Sequence, residues 1–471
     1  MANRGRPKKK VSQPEVVETP EIIETPIEDT IVEDAVVETT EPTVVAEVIE
    51  EKTELPAVVK ETPAVAVETK EKEIEQPTTK KKSNIKENWN KTKDWFSNHK
   101  LVYRLLQVTL CIFLFIGANV AVSALTYFGY IQTKYYRIED GEELSVERNR
   151  VWYVTTTKKY TALTMDIGSS IQVPQYSSIN ATGKMKDGTK TQGEYNYGID
   201  ETTVTDNIIA LKQYVRSLDM DFYTFQEVDV ASTRSYMVNQ YEHLNESLAR
   251  YSRIASRYQH TQYLVYPFKN PIGLINSDLM TYCRYKTTYG LREQLPIDVN
   301  FTSRLASADN AMSVAFLPIN GMSGNYLVLI NVNLDADAEV RKQQMEVINE
   351  FVQIEYDDGN FVIISGNFNS DTATVDGTFA NEQQTPTWLT DFDESLLLDT
   401  FKFVHPTNET ELANYRSTDI PYEKGVNYEA HTSGFIVSDN IEAEAVIIDT
   451  EYMYSNHNPV QLTFKLIKPK K

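Results

Sequence analysis

The sequence predicts a mixed α/β domain that follows an acidic tail and one apolar segment long enough to cross a membrane. Strand-like and helix-like stretches alternate from about residue 156 onward. Several of the predicted strands are almost continuously apolar, which is typical of strands whose two faces are both covered. Residues 105–133 carry no charged side chain at all. We therefore expect three unlike parts along one chain.

The first part, residues 1–79, is predicted to be a disordered acidic tail. It has no aromatic residue, repeats Glu-Thr-Pro at 18–20, 24–26 and 61–63, and belongs to a chain of net charge −21. Such a composition buries too little apolar surface to offset the entropy of ordering the chain. Residues 80–104 form a basic juxtamembrane segment that contains Trp89 and Trp95, aromatic residues of the kind favoured at the level of lipid headgroups.

Residues 105–133 are predicted to form a single transmembrane helix, because about 20 apolar residues suffice to span a bilayer. The segment begins too late in the chain and is too long for a cleaved signal peptide, so a signal anchor is expected. Lysines crowd its N-terminal side, whereas Glu139, Asp140, Glu142 and Glu143 follow it. The positive-inside rule then predicts a cell-membrane protein with a cytoplasmic N-terminus and an extracellular C-terminal domain.

Residues 134–155 are predicted to be a linker, and residues 156–471 a single large domain. Within it we expect helices at 206–218 and 339–352 and strands at 160–167, 221–225, 325–332, 361–365, 431–437 and 460–466. Cys111 and Cys283 fall in different parts of the chain, so no internal disulfide is expected, and no Cys/His cluster indicates a structural zinc.

Three short segments carry a resemblance to a known family. They are Phe225-Gln226-Glu227-Val228-Asp229, continued by Ser232-Thr233-Arg234-Ser235-Tyr236; Ile364-Ser365-Gly366-Asn367-Phe368-Asn369; and Tyr454-Ser455-Asn456-His457-Asn458-Pro459. In this order they resemble signature segments of the endonuclease/exonuclease/phosphatase superfamily, in a bacterial, membrane-anchored branch. The resemblance extends from about residue 160 to 466. It implies a four-layered α/β sandwich, in which two packed mixed β-sheets are flanked by helices and the active site lies at converging strand ends.

The resemblance also implies roles for individual residues. Glu227 matches the metal-binding glutamate of the family, with Asp166 as a second ligand for Mg²⁺ or another divalent cation. Asn369 matches an asparagine that contacts phosphate or water, and His457 a histidine that meets the phosphoryl group. Arg234 is a possible phosphate-binding residue.

The sequence departs from the family at four positions of the expected active site. Asn367 and Asn456 stand where the family has aspartate, Asn333 stands where it has histidine, and Asp166 stands where it has asparagine. An amide is nearly isosteric with a carboxylate but neither accepts a proton nor carries charge. The replacements therefore remove the group expected to deprotonate water and the expected carboxylate partner of His457.

We accordingly favour a pseudoenzyme, a membrane-anchored extracytoplasmic domain that binds an unknown ligand or protein and uses no nucleotide cofactor. One alternative is a metal-dependent phosphodiesterase with a rearranged site, for which nucleic acid is a candidate substrate. Another is a passive surface module whose function resides in the cytoplasmic tail. Whether the chain is an enzyme stays open at this point.

Overall fold

The computed structural model describes residues 81–265, 268, 270–298, 309–374 and 379–468. The predicted acidic tail lies outside these residues. The chain divides into two units, Met1–Lys91 and Thr92–Lys471. Of the first unit, only the beginning of helix α1 (Lys81–Asn98) is described, where Lys91 pairs with Glu87. The second unit contains everything discussed below.

Helix α2 (Lys100–Lys134) includes the whole predicted transmembrane segment. Its most apolar 18-residue window has a mean hydropathy of 2.3, and its length and composition suffice to cross a membrane. At 1.5 Å per residue, a 35-residue helix is roughly 52 Å long, which exceeds the ~30 Å of a bilayer core. About four turns are therefore surplus to a perpendicular span.

The last turns of α2 and the residues that follow are bonded to the large domain. The hydroxyl of Tyr127 donates to the carbonyl of Tyr263 (3.0 Å) and accepts from the backbone N–H of Val265 (3.1 Å). Beyond the helix, Arg137 Nε donates to Asp309 Oδ1 at 3.0 Å. Ile131 is buried. The junction between helix and domain is thus a packed contact.

The first sheet contains seven strands in the order β1-β8-β9-β10-β11-β15-β12. Their bounds are β1 (Glu142–Leu144), β8 (Tyr289–Gln294), β9 (Ala311–Pro318), β10 (Tyr326–Asn333), β11 (Phe361–Asn367), β12 (Phe401–Phe403) and β15 (Ser433–Ser438). Strand β1 comes from within the predicted linker 134–155 and pairs antiparallel with β8.

The second sheet contains six strands in the order β16-β17-β2-β5-β7-β6. Their bounds are β2 (Lys159–Asp166), β5 (Phe222–Asp229), β6 (Ser252–His260), β7 (Asn276–Cys283), β16 (Ile441–Ile447) and β17 (Val460–Leu466). Two short ribbons complete the strands: β3 (Thr182–Lys184) with β4 (Lys190–Gln192), and β13 (Tyr415–Arg416) with β14 (Glu429–Ala430).

The two sheets pack face to face through an apolar core to which both contribute, with Phe222 and Phe464 from one and Phe361 and Phe435 from the other. Helices α3 (Glu201–Leu218) and α4 (Gln240–Ser247) cover the outer face of the second sheet. Helix α5 (Ala338–Asp357) covers the outer face of the first. The four-layered sandwich implied by the resemblance is therefore confirmed.

Sequence features explain where the main helices begin. The carboxylate of Asp200 caps α3 by accepting from the backbone N–H of Thr203, and Asp337 caps α5 by accepting from Glu339 and Val340. Helix α3 begins five residues before the predicted start at 206, because its first residues are mostly polar and exposed, whereas α5 begins one residue before the predicted start at 339.

Two parallel strand pairs position the candidate site. In one sheet β2 lies beside β5, with Asp166 opposite Gln226. In the other β10 lies beside β11, with Asn333 opposite Asn367. Because parallel strands end at the same edge of a sheet, the polar residues at their carboxyl ends converge on one rim of the sandwich.

Candidate functional site

A cleft of about 520 Å³ opens at this rim. Its lining includes every site residue predicted from the sequence except Arg234, namely Asp166, Glu227, Asn333, Asn367, Asn369, Asn456 and His457. The three motifs and the two strand ends, separated by up to about 290 residues, therefore meet at one place.

Asp166 lies at the base of the cleft, at the end of β2, and is only 3% exposed. Its Oδ1 accepts from the backbone N–H of Gly168 (2.9 Å). Its Oδ2 accepts from the amide nitrogens of Asn367 (3.1 Å) and Asn333 (3.5 Å). Burial raises the pKa of this carboxyl group, whereas the bonds from Gly168 and Asn367 oppose the rise. Three N–H groups thus surround the carboxylate.

Glu227 faces Asp166 from a bulge in β5, where its φ of 52° turns the side chain out of the regular strand alternation. Its Oε2 accepts from the hydroxyl of Ser169 at 3.2 Å and lies 3.8 Å from Arg234 Nη1. Burial, reinforced by the negative charge of Asp166, raises the pKa of Glu227 to about 7. The side chain remains 22% exposed and is accessible from the cleft.

Arg234 lies behind Glu227 and does not line the cleft. Its Nε and Nη2 donate to both carboxylate oxygens of Asp229, at 3.0 and 2.9 Å. Asp229 also accepts from the Ser235 hydroxyl at 2.9 Å. The guanidinium predicted to bind phosphate thus has two carboxylates of its own chain as partners.

His457 lies in the loop before β17 and is 4% exposed. Its Nδ1 faces the hydroxyls of Ser433 (3.4 Å) and Thr432 (3.5 Å), and its ring packs 5.2 Å from that of Tyr415. Burial lowers the pKa of His457 to about 3, although the charge of Glu227 opposes this. The imidazole is therefore neutral at physiological pH.

The sequence suggested residue 456 as the partner of His457, but the hydroxyls of Ser433 and Thr432 face its Nδ1 in the structure. The side chain of Asn456 accepts a hydrogen bond from Ser455 instead (3.3 Å). Ser433 is the neighbour that sequence reasoning missed as a partner, although the Ser433-Gly434-Phe435 segment was a usable signal. Tyr258 was missed entirely; its hydroxyl accepts from the amide of Asn333 at 3.3 Å.

Asn369 closes a network of amides. Its backbone N–H donates to Asn367 Oδ1 (3.0 Å), and its Nδ2 donates to Asn333 Oδ1 (3.2 Å) and to the carbonyl of Leu334 (2.6 Å). Asparagine tolerates the left-handed backbone found here, with φ of 49°. The amides of Asn333 and Asn367 consequently present their nitrogens to Asp166 and their oxygens to Asn369.

The hydrogen bonds that these side chains already make compete with the binding of a hard divalent cation. Mg²⁺ and Ca²⁺ prefer several carboxylate or carbonyl oxygens. Here both oxygens of Asp166 already accept from N–H groups, and Glu227 faces a guanidinium. No cluster of three or more His, Cys, Asp or Glu side chains suited to a metal occurs among the residues that the structure describes.

No family model and no curated protein matches the sequence. Solved structures do match. An endonuclease/exonuclease/phosphatase protein from Beutenbergia cavernae is 13% identical, over 66% of this chain and 72% of that chain, with a TM-score of 0.43. One from Bacteroides vulgatus is 14% identical, over 66% and 100%, with a TM-score of 0.41. Truncated TDP2 from Caenorhabditis elegans is 10% identical, over 65% and 98%, with a TM-score of 0.39. The chain folds as two mixed sheets with helices on both outer faces, and its three motifs resemble those of the endonuclease/exonuclease/phosphatase superfamily.

Proposed function

We propose that this chain is a membrane-anchored extracytoplasmic domain of the endonuclease/exonuclease/phosphatase fold that binds a ligand and has lost phosphoester hydrolysis. The observation that carries the proposal is the environment of Asp166. Amide nitrogens of Asn367 and Asn333 donate to this carboxylate, at positions where a catalytic site of this kind needs a base and a cation.

Two further features support the loss of catalysis. His457 has a pKa of about 3 and hydroxyl neighbours, so it is not protonated to assist a phosphoryl group near neutral pH. The guanidinium of Arg234 is bonded to Asp229 and is not free to bind an incoming anion. Removing general acid–base groups typically lowers rates by about 10²- to 10⁴-fold for each group.

Anchoring is supported by α2, which is apolar, exposed along most of its length and preceded by a basic segment. The charge asymmetry around it favours an extracytoplasmic domain. Protease added to intact cells should then digest the C-terminal domain and leave the N-terminal tail intact. Protection of the C-terminal domain would reverse the topology.

The hydrolysis test uses the purified full-length chain in detergent. With Mg²⁺, Mn²⁺ or Ca²⁺ present, DNA, RNA, bis-p-nitrophenyl phosphate and sphingomyelin should be turned over no faster than by the Glu227→Gln variant. The matched control is Glu246→Gln, which changes an exposed glutamate paired with Lys212. Turnover that Glu227→Gln abolishes and Glu246→Gln preserves would overturn the proposal.

One observation favours a second candidate, a rearranged hydrolase. Glu227 has a pKa of about 7 and faces the cleft, and a carboxyl group of that pKa suits general-base catalysis near neutral pH. The same assay separates the two candidates. A rate that depends on Glu227 and rises with pH through about 7 is the signature of this alternative.

A further inference from the structure

We propose that the cleft binds a neutral, polyhydroxylated ligand, a carbohydrate, and disfavours phosphoesters. The inference deepens the proposed function and rests on its claim that the cleft is a binding site. The charge of the cleft, its hydrogen-bonding groups and its one aromatic wall carry the argument.

The charge of the cleft is unfavourable for an anion. Its described lining holds no lysine or arginine and includes five carboxylate side chains: Asp166, Glu227, Asp309, Asp335 and Asp419. Its one histidine, His457, is neutral at physiological pH. The nearby cations are already paired, Arg137 and Arg292 with Asp309 and Arg234 with Glu227 and Asp229. A phosphate group would therefore meet carboxylates and no lysine or arginine among the lining residues that the structure describes.

The accessible polar groups of the cleft are mostly amides and hydroxyls. Those that retain exposure are Gln172, Ser178, Asn180, Thr182, Gln259, Asn369 and Thr387. An amide or hydroxyl both donates and accepts, as does each hydroxyl of a sugar. Neighbouring sugar hydroxyls can thus be paired by single side chains, with the carboxylates of Glu227 and Asp335 as further acceptors.

Trp388 provides an apolar surface in the same cleft. Its ring stands at 90° to that of Tyr415, with centroids 5.6 Å apart, and is partly exposed. Leu389 and Ala430 pack beside this pair, and Tyr415 in turn contacts His457. The C–H face of a pyranose ring packs well on an aromatic ring held in this way.

The size of the cleft agrees with this class of ligand. Its volume of about 520 Å³ lies within the range of roughly 300–1,000 Å³ that is usual for small-molecule sites. A mono- or disaccharide fits that space, whereas a longer glycan would project from the mouth.

The test measures binding to the full-length chain in detergent by isothermal titration calorimetry. The probes are maltose, cellobiose and chitobiose, with inorganic phosphate and glucose 1-phosphate as anionic counterparts. We expect at least one disaccharide to bind and the anions not to bind. Trp388→Ala should weaken disaccharide binding by about tenfold or more, and Trp388→Phe by less.

The matched control is Trp152→Ala, which removes a tryptophan that is 67% exposed and does not line the cleft. It should leave disaccharide binding unchanged. Three results would overturn the proposal: no disaccharide binds, the anions bind in their place, or Trp388→Ala binds as the parent does. Far-ultraviolet circular dichroism confirms that each variant is folded, and Trp388→Phe decides the matter should Trp388→Ala unfold.

Failure of this inference is distinguishable from failure of the proposed function. Phosphodiester turnover that depends on Glu227 would remove the claim of lost catalysis whatever sugars bind. The absence of both turnover and sugar binding would leave that claim standing and remove only the carbohydrate.

Discussion

The two walls of the cleft handle buried carboxylates in different ways. On the β5 side Glu227 lines the cleft, with Asp229 and Arg234 behind it. We call these three residues the charged wall, in which one guanidinium compensates two carboxylates. On the side of β10 and β11, the amide wall (Asn333, Asn367 and Asn369), neutral amide nitrogens surround Asp166. The comparison shows that the topology of the strands brings polar groups together but does not determine which neighbours stabilise the buried carboxylates. In the amide wall the carboxylate of Asp166 is stabilised by neutral N–H donors.

The largest expected effect is a loss of folding stability when the charged wall is disrupted. Arg234→Ala leaves Asp229, which is fully buried, without its bidentate partner. Breaking such a pair typically costs about 3–5 kcal/mol in the free energy of unfolding. Urea denaturation of the solubilised chain measures it. The control Arg284→Ala, whose partner Asp219 has an 80% exposed side chain, should cost less than about 1 kcal/mol. Equal losses for the two variants would contradict this account.

The next prediction concerns the pH dependence of the charged wall. The carboxyl group of Glu227 ionises near 4.5 in the unfolded chain and near 7 in the folded one. The folded state therefore holds more protons in this window, and the contribution of Glu227 to stability is lost as pH rises from about 4.5 to about 7. Asp166, whose pKa is also raised, acts in the same direction.

Glu227→Gln removes the titration of Glu227 and should be more stable than the parent at pH above 7 by up to about 3 kcal/mol. Urea unfolding across this pH range checks it. Glu246→Gln, which alters a glutamate on the surface, should leave the slope intact. A parent slope that Glu227→Gln does not reduce would show that Glu227 titrates normally.

A smaller effect should come from converting the amide wall. Asn367→Asp replaces the donor to Asp166 with a second carboxylate and should destabilise the fold by about 1–3 kcal/mol. Millimolar MgCl₂ should restore stability to this variant, because two adjacent carboxylates offer the oxygens that Mg²⁺ prefers. The parent should not respond to MgCl₂.

The control is Asn325→Asp, at a turn where the amide bonds the carbonyls of Asp358 and Gly359 far from the cleft. It should gain no response to MgCl₂. Stabilisation of the parent by Mg²⁺ through Asp166 would refute our conclusion that the carboxylate oxygens of Asp166 are occupied by N–H donors.

The smallest expected effect is a change in the pKa of His457. Elsewhere in the chain His405 lies 2.8 Å from Glu394 and 3.5 Å from Glu409, whereas His457 faces hydroxyls. Ser433→Asp should raise the pKa of His457 by about one unit or more, since an adjacent carboxylate favours the imidazolium. Nuclear magnetic resonance titration of the ring measures this shift, with His405 as the internal reference. An unchanged pKa would show that residue 433 does not face Nδ1 in solution.

The sequence predicted the strands and their polar ends well, because buried strands have strong apolar signals. The bounds of β17 are those predicted, and β2, β10 and β11 end at Asp166, Asn333 and Asn367, within two residues of the predicted ends. Strand β1 was not predicted, since its three residues, two glutamates and a leucine, gain strand structure only by pairing with β8. The composition of a short segment does not indicate such a long-range contact.

The partners within the site were harder to predict. The motif that contains Arg234 also contains Asp229, but only the folded chain shows that these two side chains bond to each other. The hydroxyl neighbours of His457 come from β15 and the residue before it, more than twenty positions earlier. Which polar groups pair at a crowded rim depends on side-chain geometry that one sequence does not specify.

Asp309 connects the cleft to the segment that follows α2. It lines the cleft, bonds Arg137 just after α2, and bonds the buried Arg292 at 2.7 Å. Together with the bonds of Tyr127, this links the end of α2 to the rim of the cleft. With α2 in the bilayer, as proposed, these contacts would hold the cleft near the lipid. Molecules displayed close to the membrane surface would then lie within its reach.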